Sequence, residues 1–315
     1  MGAVNKKRGV FLVQQSRLLL VDGMALLFRA FYATAPTGQF MFNAQGIPTN
    51  GVQGFLRHLL LAIENRKPTH IAVCWDMGSK TFRHQLFDEY KANRSAPPAE
   101  MIPQFNLAKE MVDAFGIPNV GLAGYEADDC IGTLAKHLHH DVQVSIVTGD
   151  RDLLQLLDRD IHVDLLQKGY GNYRSYTEST FFDHYGVTPQ QYVDVKALMG
   201  DASDGYPGVH GIGEKTAFKL MKQFGSIDTM LSHLELLPNG QRKKISTDLS
   251  MLHLSKRLAA INCQVPVTLY LSDAEFSEID DAFIDKVDQL GLRLVKYALV
   301  QMNWRGRNLS NHSIG

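Results

Sequence analysis

Residues 124–129 read GYEADD, so Glu126, Asp128 and Asp129 put three carboxylates into four positions just before an apolar run of Cys130, Ile131, Leu134, Ala135 and Leu138. Helix N-termini favour one or two acids, because their free N–H groups carry partial positive charge. A third calls for a cation from elsewhere. Six more acids stand at element ends or in loops: Asp22, Asp76, Asp150 and Asp152 of TGDRD, and Asp201 and Asp204 of GDASDG, with no matching Lys or Arg beside them in sequence. Anions sharing one edge repel and raise one another's pKa unless cations intervene. Hard divalent ions with oxygen ligands resolve this, Mg²⁺ first and Mn²⁺ as its substitute. His and Cys are missing from these motifs, which argues against zinc. Two such ions about 3.5–4 Å apart activate a water and stabilise the leaving oxygen of a phosphodiester. Taken singly, each Asp reads as a cap or turn residue: Asp150 and Asp152 cap LLQLL, and Asp201 and Asp204 make an Asx-turn. Their joint occurrence, three of them after strand ends, favours the metal reading.

The acids depend on the elements that carry them. LLLV (18–21) runs into Asp22, IAVCW (71–75) into Asp76, VQVSIV (142–147) through Thr148 and Gly149 into Asp150, and IHVDLL (161–166) into the turn QKGYGN. Helical patterns lie between them at roughly 51–65, 103–115 and 126–139. The alternation predicts an α/β fold, a mainly parallel sheet with helices on both faces. Strands with little polar alternation fit burial on both sides. Ligands of such sheets bind beyond the carboxyl ends of the strands, the edge where Asp22, Asp76 and Asp150 fall. From about 178 the strand signals fade. Helical patterns then occupy 188–199, 214–224, 226–236 and 245–261, broken by loops at 200–213 and 237–240. The expected organisation is an extension over 1–16, an α/β core over 17–185, a helical region over 186–271, and a segment 272–315 whose end after Trp304 is disordered.

PGVHGIGEKTAFKLMKQFG (207–225) sets Gly208, Gly211 and Gly213 before a helix starting near Glu214, with Lys215 and Thr216 in its first turn. Glycines let backbone approach a phosphate, and the helix start presents N–H groups to it. The stretch reads as a helix-hairpin-helix, a sequence-independent clamp on a DNA backbone; otherwise it is an ordinary turn. KTFRHQLFDEYKANR (80–94) carries Lys80, Arg83, Lys91 and Arg94, with Phe82, Leu86 and Tyr90 at helical spacing. Charge with an interleaved ring suits a single strand, although an amphipathic surface helix explains this segment as well.

The net charge of −1 argues weakly against a nucleic-acid binder. Setting aside the nine clustered acids leaves 24 acidic residues (33 − 9) against 32 basic ones, a net +8. A basic body with an acidic, metal-filled cleft is coherent with nucleic-acid binding. Cys74, Cys130 and Cys263 form no CxxC pair and read as reduced thiols. No apolar run approaches a membrane span or a signal sequence, and Lys6 stands where a myristoylated start needs Ser or Thr. The expectation is a cytoplasmic monomer without a membrane partner.

In order, VDGMALLFRAFYA, the strand ending in Trp75-Asp76, FRHQLFDEYKANR, GYEADD, TGDRDLLQLL, GDASDG and PGVHGIGEKTA resemble the bacterial and phage 5′ nucleases of the flap endonuclease superfamily, over roughly residues 17–271. The likeness is greatest to the 5′→3′ exonuclease domain at the front of bacterial DNA polymerase I. It implies a PIN-like or resolvase-like core with a helical arch at about 80–100. Asp76, Glu126, Asp128 and Asp150 would surround a first metal, supported by Asp22 and Asp129. Asp152, Asp201 and Asp204 would hold a second. Lys91 and Arg94 would reach the scissile phosphate, Tyr90 would stack on a displaced base, and Arg83 would contact DNA. The loop 208–213 would grip the duplex, with K⁺ on its carbonyls. The implied reaction leaves a 5′-phosphate, on 5′ flaps, nicks, gaps and RNA primers paired with DNA. The chain departs from the family at Gly205, where Asn is usual; either Asn orients the second acidic pair, or the position needs positive φ and Gly serves equally. No polymerase sequence follows, so the expectation is a stand-alone nuclease.

Three other readings compete. A catalytically weak DNA-binding relative would keep the clamp and lose the acids, which are all present. A PIN-type ribonuclease shares the acidic centre but is usually shorter and has no hairpin clamp. A Rossmann-type nucleotide enzyme needs GxGxxG after the first strand, which VDGMALLF does not supply.

Overall fold

The computed structural model describes residues 16–302 apart from 36, 37, 39 and 277. The expected extension up to residue 15 and the tail after Trp304 lie outside the described residues. Six strands, β1 (Arg17–Asp22), β2 (His70–Cys74), β3 (Asn119–Val120), β4 (Gln143–Thr148), β5 (Ile161–Leu166) and β6 (Tyr173–Tyr176), form one sheet in the order β3-β2-β1-β4-β5-β6. The first five are parallel and β6 runs antiparallel along the edge. Leu18, Leu19, Leu20 and Val21 are all buried because both faces of β1 are covered.

On one face, Leu19 and Val21 meet α1 (Gly23–Thr34), α2 (Asn50–Arg66) and, beyond the short α3 (Phe82–Leu86), α4 (Ile102–Ala114). On the other, Leu18 and Leu20 meet α5 (Ala127–Leu138) and a helical body that starts with α6 (Glu178–Tyr185) and α7 (Pro189–Met199). That body continues through α8 (Glu214–Phe224), α9 (Ile227–Ser232), α10 (Asn239–Thr247) and α11 (Leu249–Ala259). Two further helices, α12 (Asp281–Gln289) and α13 (Arg293–Gln301), return to the first face, where the ring of Phe283 stacks on Phe115 at 4.1 Å. Among the described residues no helix is long and apolar enough to cross a membrane.

Several local expectations need correction. The pattern at 245–261 is two helices that turn at Asp248, and Asn239 and Gly240 of the expected loop begin the first of them. The pattern at 226–236 is α9 followed by a 3-10 turn over Leu234–Leu236. LLQLL belongs to a 3-10 helix, Arg151–Leu156, that Asp150 caps. The arch expected at 80–100 is helical only over α3; its remainder turns down onto the loop 201–205, to which Lys91 N–H is bonded through the Asp204 carbonyl at 2.8 Å. Segment 272–315 contains α12 and α13, which complete the core. β3 is too short to leave a pattern, and β6 (YRSY) is an edge strand with a mostly exposed, polar sequence.

Candidate active site

Because β1, β2 and β4 are parallel, their carboxyl ends share one edge, and the residues that follow them converge there. Asp22 caps α1 by accepting from Ala25 N–H at 2.9 Å, and its second oxygen accepts from the Thr148 hydroxyl at 2.7 Å. Asp76 accepts from Ala127 N–H, the first amide of α5, at 2.7 Å. Asp150 accepts from Asp152 N–H at 2.8 Å. Each Asp is therefore a cap, as the plain reading has it, and each also lines the same cleft. That cleft, about 500 Å³, is bounded by Asp22, Asp76, Glu126, Asp128 and Asp150, with Lys91 and Arg94 on one wall and Arg29 and Phe28 on another.

The electrostatics are those of crowded anions. Burial pushes Asp22 up to about 7, with Asp76 and Asp150 adding to it against the opposing bonds from Ala25 and Thr148. Burial, then Asp150, Asp22 and Glu126, hold Asp128 well above the usual carboxylate range. Asp76 is raised by burial and by Glu126. Among the described residues no group of three or more His, Cys, Asp and Glu side chains is already arranged to hold a metal ion. The chemistry of the donor set nevertheless fits a hard cation: the donors are all oxygens, buried or half-buried, and mutually repelling.

The structure divides the nine acids differently from the sequence reading. Asp129 is 0% exposed and fully spent: it pairs with Arg83 at 2.8 Å through both oxygens and accepts from the amides of Asn262 and Glu126. It does not line the cleft. Arg83, 2% exposed, also donates to the carbonyls of Leu258 and Ala260, so it ties α3 to α5 and α11 and is not a DNA contact. Tyr90, 2% exposed, donates its hydroxyl toward Asp204 at 3.0 Å and Glu126 at 3.2 Å. Its ring has no face free for a base.

Asp152 and Asp201 lie apart from the first five acids and are bridged by a lysine that sequence reasoning missed. Lys196 of α7 has its ammonium 2.7 Å from Asp152 and paired with Asp201. Burial, the largest single influence, would lower its pKa, but Asp152, Tyr206 and the bonds to Asp152 and Asp201 together raise it. Asp201 falls to about 2: burial would raise it, but the bonds from Lys196 and Ser203 prevail. Asp204 is taken by Arg94 at 2.6 Å and by Tyr90, while Lys91 sits 2.8 Å from Glu126. The expectation that no Lys or Arg accompanies the acids therefore fails in space. Arg83, Lys91, Arg94 and Lys196 come from distant sequence; in the cleft Glu126 is paired, and among the described residues no ion pair reaches Asp22, Asp76, Asp128 or Asp150.

Lys91 adopts φ +55°, the left-handed region, as its N–H docks on Asp204. Gly205 beneath it has φ +79°, and a Cβ there would come within 2.9 Å of the Glu89 carbonyl. Glycine is thus required by contact as well as by φ. Gly208 and Gly211 also have positive φ, Gly213 caps α8 with no side chain, and Lys215 and Thr216 fall in its first turn. The Gly211 carbonyl, one of those the K⁺ reading needs, already accepts from Lys244 at 3.0 Å. Beside the cleft a second groove of about 530 Å³ shares Phe28 and Arg29 with it and adds Tyr32, Arg57, Lys168 and Tyr170, with no carboxylate in its lining.

Residues 17–186 match the model of the 5'-3' exonuclease, N-terminal resolvase-like domain, and residues 187–282 that of the 5'-3' exonuclease, C-terminal SAM fold. A 5'-3' exonuclease of Bacillus subtilis is 55% identical over 293 residues, 93% of this chain and 99% of that protein. DNA polymerase I of Bacillus caldotenax is 41% identical over 268 residues, 84% of this chain but 30% of the polymerase. The chain thus spans about a third of the polymerases it matches. Among solved structures, the flap endonuclease of bacteriophage T5, in a pseudo-enzyme-product complex with DNA and metal ions, shares the fold at a TM-score of 0.64 and 22% identity, covering 91% of this chain and 99% of that one. The catalytic core of Rad2 in complex with DNA substrate does so at 0.58 and 15%, covering 92% of each chain. With both of its halves matched and a relative of the same length more than half identical, the chain belongs to the 5'-3' exonuclease family.

Proposed function

We propose that this 5'-3' exonuclease is a structure-specific 5′ nuclease, which hydrolyses phosphodiesters near the 5′ ends of flapped, nicked, gapped or RNA-primed duplex DNA. The observation that carries it is the cleft: Asp22, Asp76 and Asp150 following parallel strands, and Glu126 and Asp128 at the start of α5, face Lys91 and Arg94, with Glu126 paired to Lys91. Asp22, Asp76, Glu126, Asp128 and Asp150 would hold a divalent cation, Mg²⁺ with Mn²⁺ as substitute. When bound, it would activate water and offset charge on the phosphate. A second ion at Asp152, Asp201 and Asp204 competes with Lys196 and Arg94 for the same oxygens. The T5 and Rad2 relatives, crystallised with DNA, support DNA as the substrate.

The chain's own residues divide the work. Lys91 and Arg94, released from Glu126 and Asp204 as a phosphate arrives, would stabilise the charge that builds on its oxygens. Tyr90 and Arg83 hold Glu126 and α5 in place from behind. The carboxylate-free groove beside the cleft offers cations and rings to the strand as it leaves. The hairpin 208–213 grips duplex backbone away from the chemistry, and its Gly211 carbonyl leaves little room for K⁺ at that point.

End-labelled flap, nick and gap substrates, compared in Mg²⁺, Mn²⁺ and EDTA, test the proposal. The expected result is 5′-phosphate-ended products in Mg²⁺ and Mn²⁺ and none in EDTA. Asp76→Asn and Asp150→Asn should lose most cleavage while flap affinity stays within a few-fold. Undiminished turnover in EDTA refutes it.

A further inference from the structure

The hairpin loop is anchored on its inner side by its own backbone. Val209 N–H donates to the Leu198 carbonyl, Ile212 N–H turns back on the Val209 carbonyl, and both side chains are buried. Two of its other backbone groups are met from outside, by two residues one helical turn apart at the end of α10. Asp248 accepts from His210 N–H at 2.7 Å, and Lys244 donates to the Gly211 carbonyl at 3.0 Å. They lie 38 and 33 residues from their partners, so neither contact belongs to the local turn. Gly211 permits the approach: a Cβ there would fall 2.6 Å from the Lys244 ammonium, and φ is +73°.

The two contacts pin the peptide before His210 and the peptide after Gly211. The peptide between them carries the Gly211 N–H, which has no hydrogen-bond partner among the described residues. Gly213 likewise offers no side chain to cap the first amides of α8. The Gly211 N–H and the first amides of α8, on either side of the bonded Ile212 N–H, are donors that an anion can take up, and holding the loop in advance removes an ordering cost at binding.

We propose that Lys244 and Asp248 are positioning residues for duplex binding, a charged brace that fixes the hairpin's free amides for backbone phosphates. The proposal rests on the reading that this protein binds duplex DNA. It makes an acidic residue favourable to binding a polyanion. Simple charge repulsion gives the opposite sign, since removing Asp248 deletes a negative charge next to the loop. Lys244 is equally distinguishable from a direct phosphate contact, because a contact releases a counterion and a brace does not.

The test is fluorescence anisotropy of a labelled nicked duplex in EDTA over a range of salt, with steady-state cleavage in Mg²⁺ alongside. Asp248→Ala and Lys244→Met should each weaken binding about five- to tenfold, the size of one lost hydrogen bond. The slope of log Kd against log salt should stay at the wild-type value, KM should rise and kcat should hold. Asp248→Asn, whose amide oxygen still accepts from His210 N–H, should recover most of the affinity, and it carries the test should Asp248→Ala fail to fold. Binding by Asp248→Ala as tight as wild type or tighter overturns the brace, as does a slope lowered by about one ion in Lys244→Met. Failure of the wild type itself to bind any duplex overturns the DNA reading beneath it.

Discussion

Asp22 shows how one side chain can be both a structural cap and a source of instability. Its carboxyl, ordinarily near 3.8, is pushed to about 7 by burial and by Asp76 and Asp150. Between those values the folded protein keeps a proton that the unfolded chain has lost. The stability this contributes is full below the unfolded pKa and disappears as pH rises through 7. Asp22→Asn, neutral throughout, should therefore gain over wild type as pH rises, its advantage near pH 8 in EDTA exceeding that near pH 5 by on the order of 1–3 kcal/mol, a few degrees in melting temperature. In Mg²⁺ the wild type should gain more than the variant. Thermal melts at both pH values decide it; an equal difference at each would remove Asp22 as the cause. Gly205 gives a second prediction at this scale. A position that only needed positive φ would accept Asn, but the 2.9 Å approach to the Glu89 carbonyl excludes any Cβ. Both Gly205→Asn and Gly205→Ala should cost about 1–2 kcal/mol in urea unfolding. A silent Gly205→Asn would show that the segment carrying Glu89 gives way freely. The acids of the cleft were legible in the sequence because three of them directly follow strands. The Arg83 pairing of Asp129 was not legible, because its position in GYEADD looks the same whether it faces a metal or Arg83.

Lys196 belongs to the scale of elements, since it joins α7 to the 3-10 helix after β4 and to the loop after α7 itself. Lys196→Met would leave Asp152 and Asp201 half-buried without their cation. The expected cost is about 3–5 kcal/mol in metal-free urea unfolding, smaller near pH 5 where Asp152, at about 7, is protonated. Mg²⁺ should restore part of it if the two acids can also hold an ion. A loss that neither pH nor Mg²⁺ changes would mean that Lys196 acts through packing alone. Strand and helix order could be read from the sequence because apolar periodicity is local. The cations could not: Arg83 meets Asp129 across 46 residues and Lys91 meets Glu126 across 35. No spacing rule links them. Tyr90 was placed on a helix for the same reason, since FDEYKANR carries a helical period that its docking on Asp204 overrides.

At the scale of the whole molecule, the last described helices complete the core beside the first ones. Phe283 is wholly buried against Phe115, so Phe283→Ala should cost about 3–5 kcal/mol by denaturant titration, although it lies far from the cleft. Cleavage by the folded fraction should be unchanged. A neutral result would show α12 to be an ornament on the fold. The sequence reading passed over this: α12 and α13 do place Phe283 and Val287, and Val295, Ala298 and Leu299, at helical spacing, but nothing local says which groove those faces fill. The sheet order has a different consequence, in the history of the chain during synthesis. β1 is made first yet sits in the middle of the sheet, between β2 and β4. At about 5–20 residues per second, roughly ten seconds separate the emergence of Leu18 from that of Thr148. Through that interval Leu18–Val21, the apolar centre of β1, lack their second neighbour, and one edge of the strand stays open. A ribosome-bound chain halted before Thr148 should therefore be a stronger client for chaperones, and more open to proteases, than one halted after Gln301, when both faces of the sheet can be covered.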